Sequence, residues 1–198
     1  MGNKCIVLIG SSTGGPRALE YLLSSLPEDI GVPLIVVQHM PQKFTSLMAE
    51  RLNIKCRIKV KEAEDNEVIE NNVAYITPGD RHLILVKEGE KVKVKLIEQF
   101  DSIYKPSIDA TFISASKLDY CIIAVILTGM GSDGAKGIKF LKNKNAYIIS
   151  QDVESSIAKG MPYSAIKTGF VDKILPLDKI PQEIIEKVRE FYGNQSIH

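Results

Sequence analysis

Short, wholly apolar runs alternate with amphipathic stretches over most of the chain. This is the pattern of strands buried on both faces with helices packed across them. Residues 5–9 form the first such run, which gives way to Gly10-Ser11-Ser12-Thr13-Gly14-Gly15. Pro16 then opens a helical pattern through Leu19, Leu22 and Leu23; proline suits a first helical turn, where its missing N–H would be unpaired anyway. Residues 33–37 form a second run, stopping at Gln38-His39-Met40-Pro41. A helix is predicted over 43–52, with Phe44, Leu47, Met48 and Leu52 on its apolar face.

The middle of the chain changes character. Residues 57–60, 73–76, 82–86 and 92–97 alternate or run apolar at strand length, punctuated by Pro78-Gly79-Asp80 and Glu88-Gly89-Glu90. Lys91, Lys93 and Lys95 interleave with Val92, Val94 and Leu96, a half-buried strand whose lysine face is solvated and protects an edge. Helix and buried-strand grammar then returns. A helix is expected over 108–117, an apolar strand over 121–127, a helix over 135–141 and a strand over 146–150. Gly160-Met161-Pro162 introduces a short helix, 171–175 is a last strand, and 181–192 is an amphipathic closing helix. The fold class that follows is α/β: a doubly wound, mostly parallel sheet with helices on both faces and an antiparallel β insertion at about 56–100. With no repeat, low-complexity tract or polar linker, residues 1–198 read as a single domain.

Composition narrows the function classes. The chain has 25 basic and 24 acidic residues, so nothing steers it onto nucleic acid or an anionic membrane. Cys5, Cys56 and Cys121 are far apart in sequence with no C-x-x-C pair, which excludes a disulfide framework and a thiolate zinc cage and suits a reducing compartment. No run approaches the roughly 20 apolar residues of a membrane span, and the amino terminus lacks a signal-peptide pattern. A cytoplasmic protein without membrane insertion is expected.

Open α/β sheets bind ligands beyond the carboxyl ends of their strands. The loops there carry Ser12, His39 and Asp133, each after one of the three strongest strands. A hydroxyl, an imidazole and a carboxylate at one sheet edge suit nucleophilic catalysis, the imidazole taking the hydroxyl proton and the carboxylate orienting the ring. Gly10-Ser11-Ser12-Thr13-Gly14 fits G-x-S-x-G, a serine on a sharp strand-to-helix turn. The helix start at 14–17 offers N–H groups to an oxyanion. The same loop suits a non-catalytic phosphate- or nucleotide-binding module, although G-x-G-x-x-G, the ribose-binding acid and G-K-[ST] are absent. Position alone leaves both readings open. Asp133 could also be the N-cap of the helix at 135–141, His39 a strand-end cap, His82 a hairpin residue and His198 part of a tail. The cysteines read as buried small hydrophobes, and no cluster has metal-ligand spacing.

At these loops the chain resembles the catalytic domain of the bacterial chemotaxis protein-glutamate methylesterases. The matching stretches are Ile9-Gly10-Ser11-Ser12-Thr13-Gly14-Gly15, Gln38-His39-Met40-Pro41, Phe44-Thr45 and Glu62-Ala63-Glu64-Asp65. They continue with Ala74-Tyr75-Ile76-Thr77-Pro78-Gly79-Asp80, Pro106-Ser107-Ile108-Asp109, Leu127-Thr128-Gly129-Met130-Gly131-Ser132-Asp133-Gly134 and Gly160-Met161-Pro162. They cover nearly the whole chain in order. The resemblance implies Ser12 as nucleophile, His39 as base and Asp133 as orienting carboxylate. It places Thr13 and Met130 near the nucleophile and the oxyanion, with the Met130 backbone N–H as a donor. It further implies a carboxylic ester hydrolase that removes methyl groups from γ-glutamyl esters on the cytoplasmic helices of chemoreceptors, releasing methanol, and that in some members deamidates receptor glutamines. No metal and no organic cofactor are implied. A receiver domain usually precedes this domain in the family; here the first strand starts at about residue 5, so the chain reads either as a stand-alone esterase or as a fragment, with a separate regulatory receiver domain as one expected partner. Ser11 stands where alanine is common, Lys105 replaces a frequent arginine, and 154–159 lacks a frequent aromatic.

Overall fold

A computed structural model describes residues 4–193. Seven strands form one parallel sheet in the order β3-β4-β2-β1-β7-β8-β9. They are β1 (Cys5–Ser11), β2 (Leu34–Gln38), β3 (Lys59–Glu62), β4 (Val73–Ile76), β7 (Cys121–Ile126), β8 (Tyr147–Gln151) and β9 (Lys173–Leu175). The centre of the sheet is the most apolar sequence: β1 and β2 are buried at every residue, whereas the edge strands β3 and β9 are partly exposed.

Alternation along β1 divides the interior into two cores. Cys5, Val7 and Ile9 face one side, packing with Leu19, Leu22 and Leu23 of α1 (Gly15–Ser24), Met48 and Leu52 of α2 (Gln42–Lys55), and Ile184 and Val188 of α6 (Ile180–Gly193). Ile6 and Leu8 face the other, against Ile108 and Phe112 of α3 (Ile108–Ala115), Ile138 and Leu141 of α4 (Ala135–Lys142), and Met161 and Ala165 of α5 (Gly160–Lys167). That second face also carries the hairpin of β5 (His82–Glu88) and β6 (Lys91–Ile97), whose Leu83, Leu85, Val92 and Val94 close the core.

The antiparallel strands are β5 and β6, with one isolated antiparallel bridge from Val68 to Lys93; β3 and β4 join the main sheet in parallel, starting from the Lys59↔Val73 pair. The crossover between β3 and β4 contains no helix. It spends its backbone groups on the hairpin instead, with Asn66 N–H donating to Val94, Ile69 N–H to Val92 and Val94 N–H to Glu67. The buried face of α2 also differs from the pattern-based expectation. Thr45, Met48, Ala49 and Leu52 point inward, while Phe44 and Leu47 are 45% and 58% exposed. Thr45 fixes that rotation: its hydroxyl donates to Glu62 Oε2 at 2.7 Å and accepts from Gly79 N–H at 3.2 Å. Cys5 and Cys121, remote in sequence, are paired residues of β1 and β7, and their free thiols lie 2.9 Å apart.

Candidate active site

Strand β1 lies between β2 and β7, with Ser11 paired to Gln38 and Gly10 to Ile126. This register brings the residues that follow the three strands out side by side. Ser12 N–H donates to the Thr128 carbonyl at 3.0 Å and His39 N–H to the Ser11 carbonyl at 3.1 Å. From the flanking strands, His39 and Asp133 meet: Nε2 of the imidazole lies 2.7 Å from Oδ2 of the carboxylate. Ser12 is half-buried and its Oγ hydrogen-bonds to no group among the described residues. With Nε2 taken by Asp133, Nδ1 is the ring nitrogen left for the serine. Resting sites often hold such a pair loosely and tighten it only around substrate.

Asp133 is 3% exposed, so its charge needs partners. Besides His39 it accepts from Ile108 N–H at 2.7 Å, Asp109 N–H at 3.0 Å and Ser107 Oγ at 3.2 Å. These donors are the open end of α3, where the helix dipole also favours a negative charge. Burial pushes the Asp133 carboxyl up, but the His39 bond and the two amides outweigh it and hold the group below its ordinary value. The carboxylate thus stays ionised to orient an imidazole.

The alternative reading of Asp133, as N-cap of α4, is not what forms. Its carboxylate serves α3, and Asp109, in the first turn of α3, serves α4, accepting from Gly134 N–H at 3.0 Å and Gly137 N–H at 2.6 Å. Asp109 of α3 thereby serves the amino terminus of α4, and Asp133, just ahead of α4, serves that of α3. Burial, with the Asp133 charge nearby, pushes the Asp109 carboxyl up to about 6 against the pull of those two amides.

Gln38 is the other residue that pattern reading passes over. It is buried at the end of β2, accepts from Ser11 Oγ at 2.6 Å, and donates from Nε2 to the carbonyls of Ser12 at 2.9 Å and His39 at 3.1 Å. A single carboxamide ties together the backbones of both candidate catalytic residues. Only one orientation of the amide satisfies a donor hydroxyl on one side and two carbonyls on the other. It also explains Ser11, whose hydroxyl is committed to this bond and is fully buried.

On either side of the Ser12 backbone contact with Thr128 lie the turns around Thr13 and Met130, where the resemblance expects an oxyanion. Neither backbone N–H donates to any group among the described residues, and the Met130 side chain is 66% exposed. The Gly15 N–H is taken by the Ser12 carbonyl at 2.7 Å, so the start of α1 is less open than expected. Gly129 allows the close approach: a Cβ there would sit 2.8 Å from Ser12 Cβ and overlap the Met161 sulfur. Residues 154–159 close this side, Ala158 exchanging hydrogen bonds with Thr128 Oγ1 and its carbonyl accepting from Gly129 N–H at 3.0 Å. Lys105 is exposed.

His82 is no ordinary hairpin residue. It is 2% exposed, and its Nδ1 accepts from Ser107 N–H at 3.2 Å. Burial, and then the Lys105 charge, hold its pKa below the ordinary value, which keeps that nitrogen an acceptor. His198 lies outside the described residues. Among the described residues no group of three or more His, Cys, Asp or Glu is placed to hold a metal ion, and no helix is long and apolar enough to cross a membrane. A cleft of about 420 Å³ beside Gly14, Arg17 and Tyr21 includes none of Ser12, His39 or Asp133, and its lining carries both Arg17 and Asp178.

A family model described as CheB methylesterase matches residues 7–184. The protein-glutamate methylesterase/protein-glutamine glutaminase of Geobacillus kaustophilus is 46% identical over 190 residues, which cover 94% of this chain and 54% of that protein. The protein of the same description from Desulfotalea psychrophila is 45% identical over 194 residues, covering 95% and 53%. The chain spans about half the length of these curated relatives. The crystal structure of the Thermotoga maritima CheB methylesterase catalytic domain superposes with a TM-score of 0.90 at 42% identity, covering 94% of this chain and 99% of that one.

Proposed function

The chain belongs to the CheB methylesterase family, and from that premise we propose that it is a cytoplasmic serine esterase acting on glutamate γ-methyl esters of chemoreceptor helices. The observation that carries the chemistry is the His39–Asp133 contact at 2.7 Å, made across the end of the strand that delivers Ser12. In this reading Asp133 accepts a hydrogen bond from Nε2–H and stays ionised, which leaves Nδ1 unprotonated and basic. Nδ1 takes the Ser12 proton as Oγ attacks the ester carbonyl, and the oxyanion that forms is met by the free N–H groups of Met130 and Thr13. The imidazolium returns its proton to the departing methoxide, which leaves as methanol. Water activated by the same nitrogen then releases glutamate and restores Ser12. A receptor glutamine follows the same course with ammonia as leaving group, so one site serves both relatives' named activities. No step calls for a metal or an organic cofactor. Regulation by a receiver domain, in the same or a separate chain, belongs to this reading.

A serine-directed phosphonate probe tests it. The expected outcome is a single adduct mapped to Ser12, blocked by a methylated receptor fragment that itself yields methanol. Tight nucleotide binding without an adduct would instead favour a phosphate-binding module.

A further inference from the structure

The loop between β6 and α3 crosses over the site and sets Tyr104 flat against His39. The ring centroids are 4.7 Å apart and the planes differ by 5°. On its far side the tyrosine hydroxyl reaches Gly131, where any Cβ would collide with it. Tyr104 therefore spans from the imidazole to the turn that follows Met130, touching both walls of the candidate site. Its placement is built from below. Tyr104 N–H donates to Ser102 Oγ at 3.0 Å, Phe100 packs on the buried His82 ring at 5.8 Å, and His82 holds Ser107 at the start of α3. The same α3 amino terminus binds Asp133.

Two restraints thus act on the imidazole. The Asp133 bond fixes one nitrogen but leaves the ring free to swing about that contact. A coplanar aromatic surface removes this freedom, because tilting the ring would break the stack. Holding a base in its reactive orientation lowers the barrier without a stronger grip on substrate, and small misplacements are costly. We propose that Tyr104 is a positioning residue for His39, which rests on the reading of His39 as the general base. The ring is the working part, and the hydroxyl only locates it against Gly131.

The test pairs Tyr104→Leu, which keeps bulk but loses the flat ring, with Tyr104→Phe, which keeps the ring. Methanol release from a methylated receptor fragment and the NMR shifts of the His39 ring protons are measured on the same preparations. Tyr104→Leu is expected to lower kcat about tenfold with KM within about twofold, and Tyr104→Phe to restore most of the rate. The His39 ring protons should be shifted upfield in the wild-type and Phe proteins and relax downfield in the Leu protein. Three results overturn the proposal: wild-type kcat in Tyr104→Leu, a rise in KM with kcat unchanged, or a Phe variant as impaired as the Leu variant. A wild-type protein inert on every methyl ester fails earlier and removes the reading of the site along with it.

Discussion

Gln38 ends a strand whose other residues are all aliphatic, and its carboxamide is buried with the oxygen accepting one bond and the nitrogen donating two. Replacing it with glutamate turns the donor that faces the Ser12 and His39 carbonyls into a third oxygen. A buried group so opposed costs the lost bonds and its own desolvation, about 2–3 kcal/mol. Gln38→Glu should therefore lower the denaturant midpoint and, because the backbones of both proposed catalytic residues hang from this amide, reduce kcat as well. An unchanged midpoint would show that the clamp is dispensable. Met130 is the opposite case: its side chain is mostly exposed while its N–H donates to no group among the described residues, so under the proposed mechanism the backbone and not the thioether meets the oxyanion.

At the scale of elements, the exchange of carboxylates between α3 and α4 sets a pH dependence. Asp109 has its pKa raised from 3.8 to about 6, chiefly by burial, with the Asp133 charge adding to it. The folded state then binds the proton more tightly than the unfolded chain. The contribution of this group to stability falls as pH rises from 3.8 to about 6, and the penalty persists above that. Asp109→Asn keeps an acceptor for Gly134 and Gly137 without the charge. It should leave stability near pH 4 almost unchanged and raise it near pH 8 by roughly 1 kcal/mol, allowing for partial solvent contact. Urea unfolding at the two pH values reads this directly, and a gain confined to the acid side would contradict it. Asp133 works with the opposite sign: its lowered pKa adds stability above the ordinary carboxylate range that is lost in acid.

Across the whole molecule, what could be read from sequence was what local physics decides. The runs at β1, β2 and β7 are apolar at every position because both faces are covered, and their loop residues had to share one sheet edge. That alone placed Ser12, His39 and Asp133 together as candidates. Rotation of α2 was not legible, because it depends on a hydroxyl contact between Thr45 and Glu62 rather than on the apolar period. Nor was the parallel pairing of β3, whose crossover has no helix and leans on the hairpin. The partners of Asp133 were hidden for a similar reason: an acid just before a helix ordinarily caps that helix, and only the packing of α3 on α4 redirects it. Gln38 left a readable trace, a polar residue closing an aliphatic strand, whereas the stacking of Tyr104 left none in the periodicity. The proposed esterase chemistry requires Ser12 as its nucleophile. Turnover of a methylated receptor fragment by Ser12→Ala, measured as methanol released beside the wild type, tests it most directly. The predicted result is a fall in kcat on the order of 10⁶ with the fold intact; methanol release near the wild-type rate would contradict it.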